Sequence, residues 1–156
     1  MTLLAWIVGL VLPACGFDGI AGLPMPAPID LAKLERPSTP NTFLAGPPGT
    51  IPAPDLEIPP APVPAAVLYE TARLAFGKQP RTFVAAEFPD RLQVHYVVRS
   101  ALLNYPDLVT VQIHAVDATH STVTVWARSF YGRSDFGVNR ERTETWLAAL
   151  PPIGQH

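Results

Sequence analysis

Residues 37 to 64 read PSTPNTFLAGPPGTIPAPDLEIPPAPVP, ten prolines in 28 residues. Each proline fixes φ and removes a backbone donor, so neither a helix nor a central strand is expected to run through the stretch. An extended, partly polyproline II arm is the expected outcome. A pure spacer would be more polar. Phe43, Leu44, Ile51, Leu56 and Ile58 are instead placed to strap the arm onto a folded domain. The arm divides the chain into an apolar N-terminal segment (1–15), a linker with the arm (16–63) and a small domain (64–152).

The N-terminal segment is MTLLAWIVGLVLPAC. Its apolar run, residues 3–12, is too short to cross a bilayer as a helix of ~20 residues, yet has the length of a signal-peptide core. The ending LPAC resembles the lipobox of bacterial lipoproteins, in which the cysteine, here Cys15, is lipidated and becomes the mature N-terminus. No Lys or Arg precedes the run, and Pro13 departs from the usual pattern. The expectation is attachment to a membrane through the N-terminus, with the domain on the periplasmic side of a cell envelope. The competing reading is an apolar helix docked on the domain. One acyl chain holds a membrane only marginally, so a lipid anchor would need two or more.

Cys15 is the single cysteine, which excludes an internal disulfide and a cysteine-rich metal site. Eleven Lys and Arg stand against 13 Asp and Glu. No basic excess asks for nucleic acid, and none is expected as a partner.

Beyond the arm the periodicity changes. Pro64 opens an amphipathic helix over AAVLYETARLAFG, with Leu68, Ala72, Ala75 and Phe76 on one face and Gly77 as its stop. Strands are expected at 82–88, 92–101, 108–116 and 122–131, with turns at FPDR and DATHS. A last helix is expected over 138–150, capped by Asp135 or Asn139 and closed by Pro151 and Pro152. The fold class is α+β, a three- or four-stranded antiparallel meander with two helices on one face. Alternation turns Leu92, Val94, Tyr96, Val98, Val109, Val111, Ile113, Val123, Val125 and Ala127 toward the helices. Gln93, His95, Arg99, Thr110, Gln112, His114, Thr124, Trp126 and Arg128 form an opposite, polar and aromatic outer face. The simplest register sets His95 beside His114 and Thr124, and Arg99 beside Thr110 and Arg128.

VVRSALLNYPD and WARSFYGRSD each run strand, Arg-Ser, apolar pair, turn and aspartate. In a meander both Arg-Ser ends reach the same edge of the sheet. Arg99, Arg128, Arg133 and Asn139 are therefore candidates for an anion site near the start of the last helix. Asp107, Asp135 and Arg142 form a charge cluster that can equally pin the loops by pairing. Arg142 lies on the apolar stripe of the last helix and needs a partner such as Asp107 or Asp135.

Other chemistry finds little purchase. A metal site beginning at His95 and His114 lacks further ligands on that face. Ser100 and Ser129 sit in no nucleophile elbow, and neither Walker loop nor GxGxxG occurs. No cofactor is expected.

The segments RPSTPNTFLAGPPG (36–49), LQVHYVVRSALLNYPDLVTVQI (92–113) and above all ARSFYGRSDFGVNRERTETWLAAL (127–150) resemble the bacterial and plastid family known as domain of unknown function 1499. Its most specific run here is Ser-Asp-x-Gly-x-Asn-Arg at 134–140. The resemblance implies an envelope domain, often behind a membrane segment or signal, and supplies no reaction and no catalytic residues. The reading is a membrane-anchored binding or scaffolding module, with an envelope protein or a small anion as its possible partner. The alternative is an enzyme on an anionic envelope metabolite or lipid head group, gripping it with Arg99 and Arg128 and using His95 or His114 as acid or base.

Overall fold

The computed structural model describes residues 2–24 and 26–150. Its centre is one six-stranded sheet in the order β2-β1-β6-β5-β4-β3. The strands are β1 (Thr42–Gly46), β2 (Leu56–Glu57), β3 (Thr82–Phe88), β4 (Gln93–Arg99), β5 (Pro106–Ala115) and β6 (Ser121–Ser129). The helices are α1 (Leu3–Gly9), α2 (Ala65–Gly77) and α3 (Val138–Ala148). The α+β class holds, but the sheet is mixed and wider than a meander of three or four strands.

The two additional strands come from the proline-rich arm. TFLAG lies between Pro40 and Pro47 and is itself free of proline, so every residue keeps a backbone donor. It pairs antiparallel with β6, Phe43 opposite Ala127 and Leu44 opposite Trp126, and then parallel with β2. Asp55 ties the intervening turn down by accepting the Leu44 N–H at 2.8 Å. Phe43, Leu44 and Ile58 are buried, whereas Ile51 is exposed.

From β3 to β6 the chain is the expected antiparallel meander. Val94, Tyr96 and Val98 of β4, Val109, Val111 and Ile113 of β5, and Val123, Val125 and Ala127 of β6 share one core with Leu68, Ala72 and Phe76 of α2 and with Trp146 of α3. Phe76, Tyr96 and Trp146 meet ring to ring at 5.0–6.5 Å, the offset and edge-on contacts that add to area burial.

The faces are as alternation requires, but the register differs. His95 stands opposite Thr110 rather than His114, Arg99 opposite Pro106, and His114 opposite Thr122. The cause lies in the turns. β4 stops at Arg99 because Ser100 closes the hairpin, donating its N–H to Tyr105 O and accepting the Tyr105 N–H on its hydroxyl. β5 therefore begins at Pro106. At the next hairpin Asp117 accepts the N–H groups of Thr119 and His120 and shortens that turn too. Both slips are by an even number of residues, so no side chain changes face.

The second face is not free. Residues 14–24 and 26–34 cross it, and two small apolar clusters form beneath: Leu31 with Leu44 and Trp126, and Ile20 and Leu23 against Ala85, Val97 and Leu108. Every residue of β4 is buried as a result. Outside this cover stands α1, capped by the Thr2 hydroxyl and closely packed through Gly9 on Gly16. It leaves Leu3, Trp6, Ile7, Leu10 and Val11 exposed. No helix among the described residues is long and apolar enough to cross a membrane. The expected Pro151–Pro152 stop lies outside the described residues.

Candidate functional site

The sheet edge that gathers both Arg-Ser ends is divided by the pleat into two sites. Asp107, Val109 and Val111 are two residues apart and look toward the helices, as does Ser129, opposite Asp107. Arg99 and Arg128 belong to the other face. Asn139 and the two arginines, grouped in the expected anion site, are thus on opposite sides of the sheet.

On the helix side, Asp107 meets Arg142 at 2.7 Å, with only 9% and 10% of their side chains exposed. Arg142 donates a second bond to Asn139 Oδ1 at 2.6 Å. Asn139, fully buried, passes its amide hydrogens to Asn41 O and to the Ser129 hydroxyl. Asn41 in turn donates to Gly132 O at 2.8 Å. This network joins the start of β1, the start of β5, the end of β6 and the first turns of α3. Asp135 accepts the N–H groups of Gly137 and Asn139 and so starts the helix. Gly137, at φ 83°, takes the left-handed conformation that the sheet-to-helix turn demands. Arg133 is exposed. Phe136 beside it is 95% exposed at φ 55°, an unusual conformation for a bulky residue.

On the strap side, Arg99 is 2% exposed and forms no ion pair among the described residues. Its guanidinium donates to the carbonyls of Ala14, Gly19, Ala21 and Asn104. The Asn104 amide donates to the carbonyls of Cys15 and Phe17. Arg81 holds both in place, bonding Arg99 O and Asn104 Oδ1. Carbonyls at 14, 15, 17, 19 and 21 thus converge on two side chains, replacing the partners this irregular segment lacks in its own backbone. Cys15 is fully buried at this place, and burial pushes its thiol pKa up. Further along the strap, Gln93 acts as a surrogate strand, accepting the Ile29 N–H and donating to Ile29 O, each at 2.8 Å.

His95 is buried among these groups. Gln93 Oε1 can only accept, so the His95 proton sits on Nε2, while Nδ1 accepts the Thr110 hydroxyl at 2.8 Å. Burial, aided by the charge of Arg128, pushes its pKa down to about 4. Both ring nitrogens are committed. His114 lies at another register and is lowered by burial alone. Among the described residues no group of three or more His, Cys, Asp or Glu could hold a metal ion.

Arg128 is placed differently from the other arginines of the sheet. Its guanidinium lies over the Phe130 ring at 5.5 Å and borders a groove floored by Trp126 and walled by the strap.

A family model described as Protein of unknown function (DUF1499) matches residues 34–150. The chain belongs to this family. No curated protein and no solved structure matches it. The DUF1499 match contains the whole sheet with α2 and α3, and includes Gln93, Arg99 and Asn104, while the 14–33 part of the strap precedes it.

Asn41, Gln93 and Asn104 were not legible as structural hubs. Each satisfies backbone groups tens of residues away, and an amide side chain carries no local pattern announcing such a partner. The one available signal was β4, whose outer positions are polar except at Val97 and include an arginine with no acid in register with it.

Proposed function

We propose that this DUF1499 chain is a membrane-tethered domain of a cell envelope that works as a binding or scaffolding module. The observation that carries the tether is α1: an apolar helix whose Trp6 and Ile7 are 62% and 54% exposed, beside the exposed Leu102 that Thr2 contacts. Contiguous exposed apolar surface of this kind marks a contact with lipid or another protein. At ~1.5 Å per residue its seven residues extend about 10 Å, a length that suits the interfacial layer rather than a crossing. Lipidation at Cys15 is compatible with the tether only before the strap docks, since the thiol is buried afterwards.

A non-catalytic role is supported by the commitments just described. Arg99 spends its donors on backbone carbonyls, and His95 has no ring nitrogen left for a substrate. The envelope partner would meet the domain at surfaces such as the Phe136 tip.

Flotation of the full chain with lipid vesicles tests the tether, alongside a variant carrying Trp6→Asp and Ile7→Asp. The wild type is expected to float and the variant to stay in the dense fraction with its melting temperature unchanged. Equal partition of both would end the proposal. Mass spectrometry of the N-terminus from a native membrane fraction then separates an intact α1 from a lipidated Cys15.

A further inference from the structure

We propose that the groove beside Arg128 is a binding site for a small organic anion, a carboxylate or phosphate monoester carried on a flat apolar body. The site is independent of the membrane tether and stands out by its charges. Arg36 is paired with Asp55, Arg73 with Glu70 and Glu87, Arg140 with Glu144, and Arg142 with Asp107. Arg81 and Arg99 spend their donors on buried oxygens. Arg128, half-buried, has no hydrogen bond or ion pair among the described residues, only the face of Phe130. A guanidinium that has shed part of its water without gaining an acceptor is an unsatisfied donor set, and carboxylate or phosphate fits its planar fork.

The space next to it has the right size and character. The open groove offers about 400 Å³, within the range of small-molecule sites. Trp126, Ile29 and Leu34 give it an apolar floor and wall. Arg36 adds a second guanidinium, stacked over Trp126 at 5.7 Å with its charge balanced by Asp55 at 2.7 Å. The opposing charge is Glu35, exposed at the rim and making no ion pair among the described residues. A bound anion would sit on Arg128, with its apolar body against Ile29 and Leu34 and beside the thin exposed rim of Trp126. The strap builds one wall, so the site exists only in the docked chain.

The test is a ¹⁵N NMR titration of the full chain in detergent, following the Trp126 indole N–H, with acetate, inorganic phosphate, phenyl phosphate and dihexanoyl phosphatidic acid as probes. Phenyl phosphate is expected to bind at least tenfold more tightly than inorganic phosphate, which lacks the apolar body. Arg128→Gln should weaken it by tenfold or more, Arg128→Lys should retain part of the affinity, and Arg133→Gln should leave it unchanged. Glu35→Gln should match or exceed the wild type. Melting curves confirm that each variant is folded. Tighter binding of the phosphatidic acid than of phenyl phosphate would assign the site to a lipid headgroup, and the reverse to a soluble metabolite. Failure of all four probes at 10 mM, or Arg128→Gln binding like the wild type, would overturn the proposal. Neither result would alter vesicle flotation, so the tether stands or falls separately.

Discussion

Removing the Asp107 carboxylate gives the sharpest test of what the charge cluster on the helix side does. Asp107 and Arg142 are 2.7 Å apart with about a tenth of each side chain exposed. In Asp107→Ala, Arg142 keeps only Asn139 Oδ1 as a partner, and a nearly buried cation is left uncompensated. Breaking such a pair from one side costs roughly 3–5 kcal/mol. For a chain of this length, about 3 kcal/mol corresponds to a fall in melting temperature of roughly 10 °C. The double variant Asp107→Leu, Arg142→Met removes both charges and fills the space with apolar atoms, and is expected within about 1 kcal/mol of the wild type. Urea unfolding at pH 7, read from tryptophan fluorescence, gives all the stabilities. A loss below about 1 kcal/mol in Asp107→Ala, or a double variant as unstable as the single one, would refute the assignment of these residues to structure.

Two further outcomes follow from the same contacts. The folded chain resists protonating His95, whose pKa falls from 6.5 to about 4. The unfolded chain accepts that proton near pH 6.5, so stability is full above this pH and declines by about 3 kcal/mol as the pH falls to 4. His114, also lowered by burial, acts in the same direction. His95→Gln should flatten most of the decline in urea midpoints measured between pH 7 and 4, and an unchanged slope would contradict the assignment. Asp135→Ala removes the acceptor for two N–H groups at the start of α3 and is expected to cost about 1 kcal/mol in the same unfolding assay.

Much of the sheet was legible because alternation is a local signal. The nine inward residues from Val94 to Ala127 sit in the core as their period of two requires. The width of the sheet was not, since the density of prolines around TFLAG concealed a five-residue strand that contains none. Register was lost for a related reason. Ser100 and Asp117 each tighten a hairpin through a side-chain bond to the backbone, and many residues could sit at such a position without doing so. The polar second face read as a surface because polarity usually means water. Here it means main chain: Gln93, Arg99 and Asn104 face carbonyls of a segment with no periodicity of its own. The residues of the candidate anion site are divided by the same alternation that made the core legible, since Asn139 and Arg128 lie across the sheet from each other.

The strap is central to this molecule: residues 14–24 and 26–34 are held to the sheet by Arg99, Asn104 and Gln93, so that the apolar N-terminus and the domain form one body. Cys15, the single cysteine, reports on this directly because it is fully buried beneath the docked segment. The decisive measurement is the rate of maleimide labelling of Cys15 in the unprocessed full chain, compared with the chain in urea and with Arg99→Met. Docking predicts labelling at least roughly a hundredfold slower in the native wild type than in urea, and a marked acceleration in Arg99→Met while the core still melts cooperatively. Labelling of the native wild type at the rate of an exposed thiol, with the core intact, would show that the strap is not docked and would remove both the buried face and the groove it builds.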